Sequence, residues 1–111
     1  MNNAVIIDFE LEGFHYYPGA PKKVAFLEHM HRHMFQFVVK YKVSDLDREK
    51  EIFIETDRIK LFLELKYGQP CKFRAMSCEM IAKVILEHFA EQGVYYVKVL
   101  EDGKGGAECW L

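Results

Sequence analysis

Apolar and polar residues alternate along two long stretches in the first half of the chain. A period of two residues is typical of β-strands that bury one face. The first stretch, at about 4–16, places on one face Val5, Ile7, Phe9 and Leu11. The second, at about 29–44, alternates in the same way at Phe35, Phe37, Val39 and Tyr41. Two shorter apolar runs, at 94–100 and 107–111, predict a third and a fourth strand.

Helical spacing of apolar residues appears between the second and third strands. A first helix is predicted to begin at a cap formed by Thr56 or Asp57 and to end at Gly68. Its apolar positions are Ile59, Phe62 and Leu63. The apolar run just ahead of it, at 52–54, predicts a short extended segment.

A second helix is predicted to begin at Ser77, whose hydroxyl suits an N-cap, with Glu79 favourable in the first turn. Gly93 is predicted to end it. The inner face of this helix is expected to carry Ile81, Val84, Ile85, His88 and Phe89. His88 is interpreted as a histidine at the margin of the core.

The elements follow one another in the order β-β-α-α-β-β. This order predicts an α+β fold in which a four-stranded antiparallel sheet carries both helices on one face. No repeat, low-complexity tract or linker interrupts the sequence. Residues 1–111 are therefore expected to form a single domain.

Three histidines occupy alternate positions at the start of the second strand. Side chains two residues apart on a strand share a face, so His31 and His33 point the same way, joined by His29 if the strand starts that early. His15 supplies a further imidazole at the end of the first strand. Three histidines from neighbouring strands form a recurring zinc site with one open coordination position. The alternative is a structural or exposed cluster that binds no metal.

Charge and cysteine content narrow the range of functions. The formal net charge of −2 gives no electrostatic reason to expect nucleic acid or a membrane as partner. Cys71, Cys78 and Cys109 form no CxxC pair, and an odd number of cysteines is typical of a reduced, cytoplasmic protein. The first residues lack signal-peptide features, and no apolar run reaches membrane-spanning length. A cytoplasmic protein is expected.

The glycine-rich segment at 103–106 superficially suggests a phosphate-binding loop. Such loops lead into the N-terminus of a helix, whereas this segment precedes a predicted strand. A hairpin turn is therefore the favoured interpretation.

Three segments, which together span nearly the whole chain, resemble the 6-pyruvoyltetrahydropterin synthase and 6-carboxytetrahydropterin synthase family, which has the tunnelling fold. The first segment combines His15 with the run LEHMHRHMF at 27–35. It is similar to the family's pattern of a histidine followed by His-Gly-His and an aromatic residue, with Arg32 in place of the glycine. The resemblance implies zinc ligands at His15, His31 and His33.

The second and third segments concern the substrate. The run SCEMIA at 77–82 resembles the start of the family's second helix and implies a substrate contact at Ser77. The run VKVLE at 97–101 resembles a strand that ends in a glutamate anchoring the pterin ring. On spacing alone Glu101 is an ordinary acid at a strand end; with the resemblance, its carboxylate is expected to accept two parallel hydrogen bonds from a pterin or guanine-like edge.

Two parts of the family pattern are missing. The catalytic cysteine, four residues before the first histidine of the His-x-His pair, is replaced by Leu27. The segment at 66–73 holds no match to the family's Asp-His dyad. Cys71 and Glu28 are candidate replacements for the missing base, and the catalytic residues are left unassigned.

The resemblance implies a zinc-dependent lyase of the 6-carboxytetrahydropterin synthase type. Its substrate would be a dihydropterin or a related purine-like compound of the pterin or queuosine/deazapurine pathway. The missing groups favour an alternative, a non-catalytic protein that binds a pterin- or purine-like ligand; a third possibility is an assembly protein with a vestigial site. The family forms trimeric rings that often stack into hexamers, so a homotrimer or homohexamer with a closed barrel of strands is expected.

Overall fold

A computed structural model describes residues 1–111 and shows a mixed five-stranded sheet with two α-helices. The strands are β1 (Asn3–His15), β2 (His31–Val43), β3 (Cys71–Arg74), β4 (Val94–Glu101) and β5 (Gly105–Trp110). The α-helices are α1 (Ile52–Tyr67) and α2 (Cys78–Phe89), and 3-10 helices cover Lys22–Glu28 and Ala90–Gln92. The predicted α+β class is confirmed.

Strand pairing brings three chain segments to one end of the sheet, whose strand order is β3-β1-β2-β4-β5. β1 and β2 are antiparallel along their full length, with His15 opposite His31 at that end. β4 is antiparallel to β2 and places Glu101 opposite Phe35. The end of β1, the start of β2 and the end of β4 therefore lie side by side.

The prediction of four antiparallel strands is wrong in one respect. β3 adds a fifth strand at the sheet edge, parallel to β1, with Gly13 opposite Cys71. Only Cys71 and Phe73 of its four residues are buried. Two apolar positions are too few to form a recognisable alternation. The element order becomes β-β-α-β-α-β-β.

The start of α1 also differs from the prediction, because the run at 52–54 forms its first turn instead of an extended segment. The Glu51 carboxylate caps the helix by accepting hydrogen bonds from the backbone N–H groups of Phe53 (2.9 Å) and Ile54 (3.0 Å). Thr56 and Asp57, predicted as alternative caps, both lie inside the helix. The apolar side chains of this first turn are exposed, so they lack the inward periodicity that marks a helix. Gly68 ends α1 as predicted.

The second helix begins where the sequence predicts. Ser77 Oγ accepts a hydrogen bond from the backbone N–H of Met80 at 3.2 Å, which satisfies one of the free amides of the first turn. His88 is exposed and so does not belong to the inner face, but its ring stacks on Phe62 with 4.1 Å between centroids, as expected of a histidine at the margin of the core. Gly93 ends the following 3-10 turn in a left-handed conformation, with φ of 105°.

Both helices pack on the same face of the sheet, as predicted, and enclose one hydrophobic core. Its largest fully buried side chains include Phe35, Phe37, Tyr41, Ile59, Leu63, Phe73, Ile81 and Ile85. Neither helix combines the length and apolar content that a membrane crossing requires.

Gly13 permits close packing at one end of the core, since a Cβ there would lie 2.9 Å from Phe73 and 3.0 Å from Phe35.

Candidate metal centre

Three imidazoles meet at the end of the sheet where the apolar core stops. His15 ends β1, and His31 and His33 begin β2 on the face that also carries Phe35. The distances between ring centroids are 4.6 Å for His15 and His31, 5.2 Å for His15 and His33, and 5.0 Å for His31 and His33. One nitrogen from each ring lies within 4.8 Å of the others. The alternation seen in the sequence thus produces a three-histidine cluster.

Each of the three rings is oriented by an acceptor on its Nδ1 atom. His15 Nδ1 lies 2.9 Å from the carbonyl oxygen of Met76, and His31 Nδ1 lies 2.8 Å from that of His29. His33 Nδ1 lies 2.7 Å from a carboxylate oxygen of Asp102. Because these oxygens only accept, Nδ1 carries the hydrogen in each ring. In the neutral rings, the lone pair of each imidazole is therefore on Nε2.

The Nε2 atoms have the properties of metal ligands. Those of His15 and His33 are buried and have no hydrogen-bond partner, which is costly for a polar atom unless another group binds it. Burial lowers the pKa of His15, partly offset by the Met76 carbonyl and Glu101, and so favours the neutral form that binds metals. Acceptors on the opposite ring nitrogens are the usual outer partners of zinc-binding histidines. The residues present therefore fit a zinc ion.

Glu101 faces this cluster from the end of β4. Its Oε2 atom lies 3.0 Å from His15 Nε2, and its Oε1 atom lies 3.4 Å from His33 Nε2. The Cys78 thiol donates to Glu101 Oε2 over 3.5 Å. Burial is the main reason that the pKa of this thiol is raised to about 12, and the nearby carboxylate adds to the effect. The thiol is therefore protonated at neutral pH. The carboxylate predicted from the sequence as a ring anchor lies in direct reach of two imidazoles.

A cavity of about 560 Å³ opens beside the cluster. This volume lies in the range of sites for small organic ligands. Its polar lining includes His15, His31, Ser77, Cys78 and Glu101. Its apolar and aromatic lining includes Tyr16, Tyr17, Pro18, Leu27, Met76 and Met80. The predicted substrate contacts Ser77 and Glu101 therefore line one cavity, together with two of the three histidines.

Other residues singled out in the sequence lie elsewhere. His29 is exposed and contributes its carbonyl oxygen to the site. His88 packs on α1 and is not among the residues that line the cavity. Cys71 is buried in the core and is not part of the cavity lining, and Glu28 is exposed. Neither candidate replacement for the missing base is in the cavity.

Sequence reasoning missed the outer partners Asp102 and Cys78. Asp102 follows Glu101 in the turn after β4, and its second carboxylate oxygen accepts from the backbone N–H of Met34 at 2.9 Å. The pKa of Asp102 is lowered, mainly by its hydrogen bond with His33. The pairing of β2 with β4 brings Asp102 to His33, so the register of these strands is the signal that would have revealed Asp102, whereas Cys78 reaches Glu101 from the start of α2.

No protein-family model matches the chain, and no curated protein matches it in sequence.

Proposed function

We propose that this chain is a zinc-dependent enzyme of the 6-pyruvoyl- or 6-carboxytetrahydropterin synthase type that acts on a dihydropterin or a related purine-like substrate. The observation that carries the proposal is the three-histidine cluster at the wall of a ligand-sized cavity, with Glu101 opposite. It adds a spatial arrangement to the resemblance in sequence, in which His15, His31 and His33 are the implied zinc ligands.

The histidines would hold the metal through Nε2, because each Nδ1–H is bound to an acceptor. This oriented set of three neutral imidazoles is the donor set of catalytic zinc sites. When bound, zinc would act as a Lewis acid that lowers the pKa of a substrate hydroxyl. Phe35 supports the rings of His15 and His33 edge-on, at 5.2 and 5.6 Å between centroids, and limits their rotation.

The lining of the cavity supports the proposal of a flat, bicyclic ligand. Glu101 provides two carboxylate oxygens that would accept parallel hydrogen bonds from the amino and ring N–H groups of a pterin or guanine-like edge. Aromatic and thioether side chains, among them Tyr16 and Met76, offer apolar contacts for a ring. Ser77 uses its oxygen as a helix cap, and its hydroxyl hydrogen is available to a ligand acceptor.

A non-catalytic binding protein is the second candidate, and Leu27 is the observation that favours it. Leu27 stands at the position of the family's catalytic cysteine and lines the cavity with an apolar side chain. Cys78 is the one thiol in the cavity lining, and its raised pKa makes it a poor base. Such a protein would retain the metal and the ring anchor but would bind its ligand without turnover.

A homotrimer or homohexamer forms part of the proposal. The sheet has two edge strands, β3 and β5, each with one side of its backbone unpaired. Pairing of such edges between copies closes a sheet into a barrel and removes the exposed edges. The side chains at the β5 edge include Trp110, which is 63% exposed.

One experiment separates the two candidates. Protein purified without chelator and supplied with zinc is incubated with a dihydropterin that carries a hydroxylated side chain, and the pterin is followed by absorbance and mass spectrometry. His33→Ala is the metal-site control. Zinc-dependent consumption of the pterin supports the enzyme, and saturable binding without consumption supports the binding protein. A protein that neither binds nor converts the pterin contradicts both.

A further inference from the structure

We propose that Glu101 is a fourth ligand of the metal when no substrate is bound. The resting centre would then be a closed site of three histidines and one glutamate, which a substrate opens by displacing the carboxylate. This inference rests on the metal site of the proposed function. It assigns to Glu101 a role in addition to that of ring anchor.

The contacts between Glu101 and the imidazoles need a cation between them. His15 Nε2 and His33 Nε2 carry lone pairs, because their Nδ1 hydrogens are donated to Met76 and Asp102. A carboxylate also only accepts, yet its oxygens lie 3.0 and 3.4 Å from these nitrogens. Protonation of both Nε2 atoms would also provide hydrogens for these contacts. It would, however, place two positively charged imidazoles with their centroids 5.2 Å apart, next to His31. A single metal ion would satisfy all the acceptors together.

Each of the two contacts of Glu101, made by a different carboxylate oxygen, has the spacing of neighbouring ligand atoms on one ion. Zinc binds histidine nitrogen and carboxylate oxygen at about 2.0–2.2 Å, so neighbouring ligand atoms in a tetrahedral site lie roughly 3.3 Å apart. The two distances from Glu101 to His15 and His33 lie on either side of this value. An acid that merely lined the cavity would not be required to approach both imidazoles so closely.

Outer contacts support Glu101 in the same way as the histidines. The Cys78 thiol donates to Glu101 Oε2, the oxygen that faces His15. All four side chains thus have a hydrogen-bond partner outside the cluster: Met76 for His15, His29 for His31, Asp102 for His33 and Cys78 for Glu101. Hydrogen-bonded outer partners are typical of carboxylate ligands as well as of imidazoles.

The functional consequence concerns access to the metal. Zinc sites with four protein ligands are closed, whereas catalytic sites keep one position for water or substrate. With Glu101 bound, the centre would have no free position; turning Glu101 into the cavity to bind a ring edge would release one. Ligand binding and opening of the metal would therefore be coupled through a single side chain.

The test compares Glu101→Gln with Glu10→Gln. The control removes the same charge from an exposed position of β1, on the sheet face that points away from the core. Zinc affinity is measured by competition with a chromophoric chelator, and the visible spectrum of the cobalt-loaded protein reports the coordination sphere. We expect Glu101→Gln to weaken zinc binding by at least about tenfold, the lower end of the effect of losing an outer partner. Its cobalt spectrum should also change, while Glu10→Gln matches the wild type.

Thermal unfolding of the metal-free proteins tests whether the Glu101 variant folds. The glutamine amide can donate to the imidazole lone pairs, so the metal-free variant should be at least as stable as the wild type. If Glu101→Gln folds and both its zinc affinity and its cobalt spectrum equal those of the wild type, Glu101 is not a ligand, and the three-histidine site stands. If the wild type itself binds neither metal, the metal site of the proposed function fails as well.

Discussion

His33 and Asp102 are 69 positions apart in sequence, yet His33 Nδ1 lies 2.7 Å from Asp102 Oδ2. The other oxygen of Asp102 holds the backbone N–H of Met34, so the aspartate fixes both the ring and the strand that carries it. Asp102 has φ of 55°, a left-handed conformation that aspartate tolerates better than most residues. The turn after β4 therefore serves to position an imidazole.

We predict that Asp102→Asn weakens zinc binding by about 10–100-fold, the effect usual for an outer partner of a ligating histidine. The asparagine amide still bonds locally but loses the charge that orients the Nδ1–H of His33. Chelator competition measures the change, with Asp57→Asn on the exposed side of α1 as control. Equal affinities for the two variants would show that Asp102 does not support a metal ligand.

The three-histidine cluster leads to a direct prediction about zinc content. Wild-type protein supplied with zinc should hold about one ion per chain by elemental analysis, and His31→Ala or His33→Ala should lose it. Bound zinc stabilises only the folded state, so a chelator should lower the melting temperature of the wild type and leave these variants unchanged. His29→Ala is the matched control, because its exposed side chain lies beside the cluster without contributing to it. Zinc retention by His33→Ala would exclude the proposed site.

The sequence predicts the long strands and the shared face of His31 and His33 because both follow from local periodicity, whereas His15 joins them through the register of β1 with β2. Alternation along β1 and β2 sets which side chains face inward, and the same alternation puts His31 and His33 together. The four residues of β3 are too few to carry such a pattern. Glu51 is a less usual cap than the predicted Thr56 or Asp57, and with it α1 begins at least five residues earlier than predicted.

The contacts around the three-histidine cluster depend on strand register, which periodicity does not determine. Asp102 meets His33 only because β2 and β4 pair with Phe35 opposite Glu101. Likewise, the approach of Cys78 to Glu101 depends on how α2 packs across the end of β4. Neither relationship has a signature within a single segment of the chain.

Glu101 should matter for ring binding even when the metal site is saturated. At excess zinc, we expect Glu101→Gln to bind a pterin with a guanine-like edge at least about tenfold more weakly, because one acceptor becomes a donor at a charged hydrogen bond. Calorimetry with pterin and with a pyrimidine of similar solubility separates edge recognition from general stacking. Unchanged pterin affinity would place the ligand in another part of the cavity.

Ser77 offers a test of stability that is independent of the metal. Ser77→Ala removes the acceptor for the Met80 N–H at the start of α2, and loss of an N-cap costs about 1 kcal/mol of the free energy of unfolding. Urea unfolding of the metal-free protein measures it, with the exposed loop residue Ser44→Ala as control. A loss no greater than that of the control would mean that the cap is dispensable.

Assembly is the last prediction, and the two edge strands motivate it. β5 exposes Trp110 as well as one row of backbone hydrogen-bonding groups, a combination that favours pairing with another copy. We expect light scattering coupled to size exclusion to give a trimer or hexamer of the 13.1 kDa chain. Trp110→Lys should shift the population toward smaller species, because an edge lysine opposes strand addition. A uniform monomer at micromolar concentration would contradict the assembly, and Glu101 would then face a cavity bounded by one chain alone.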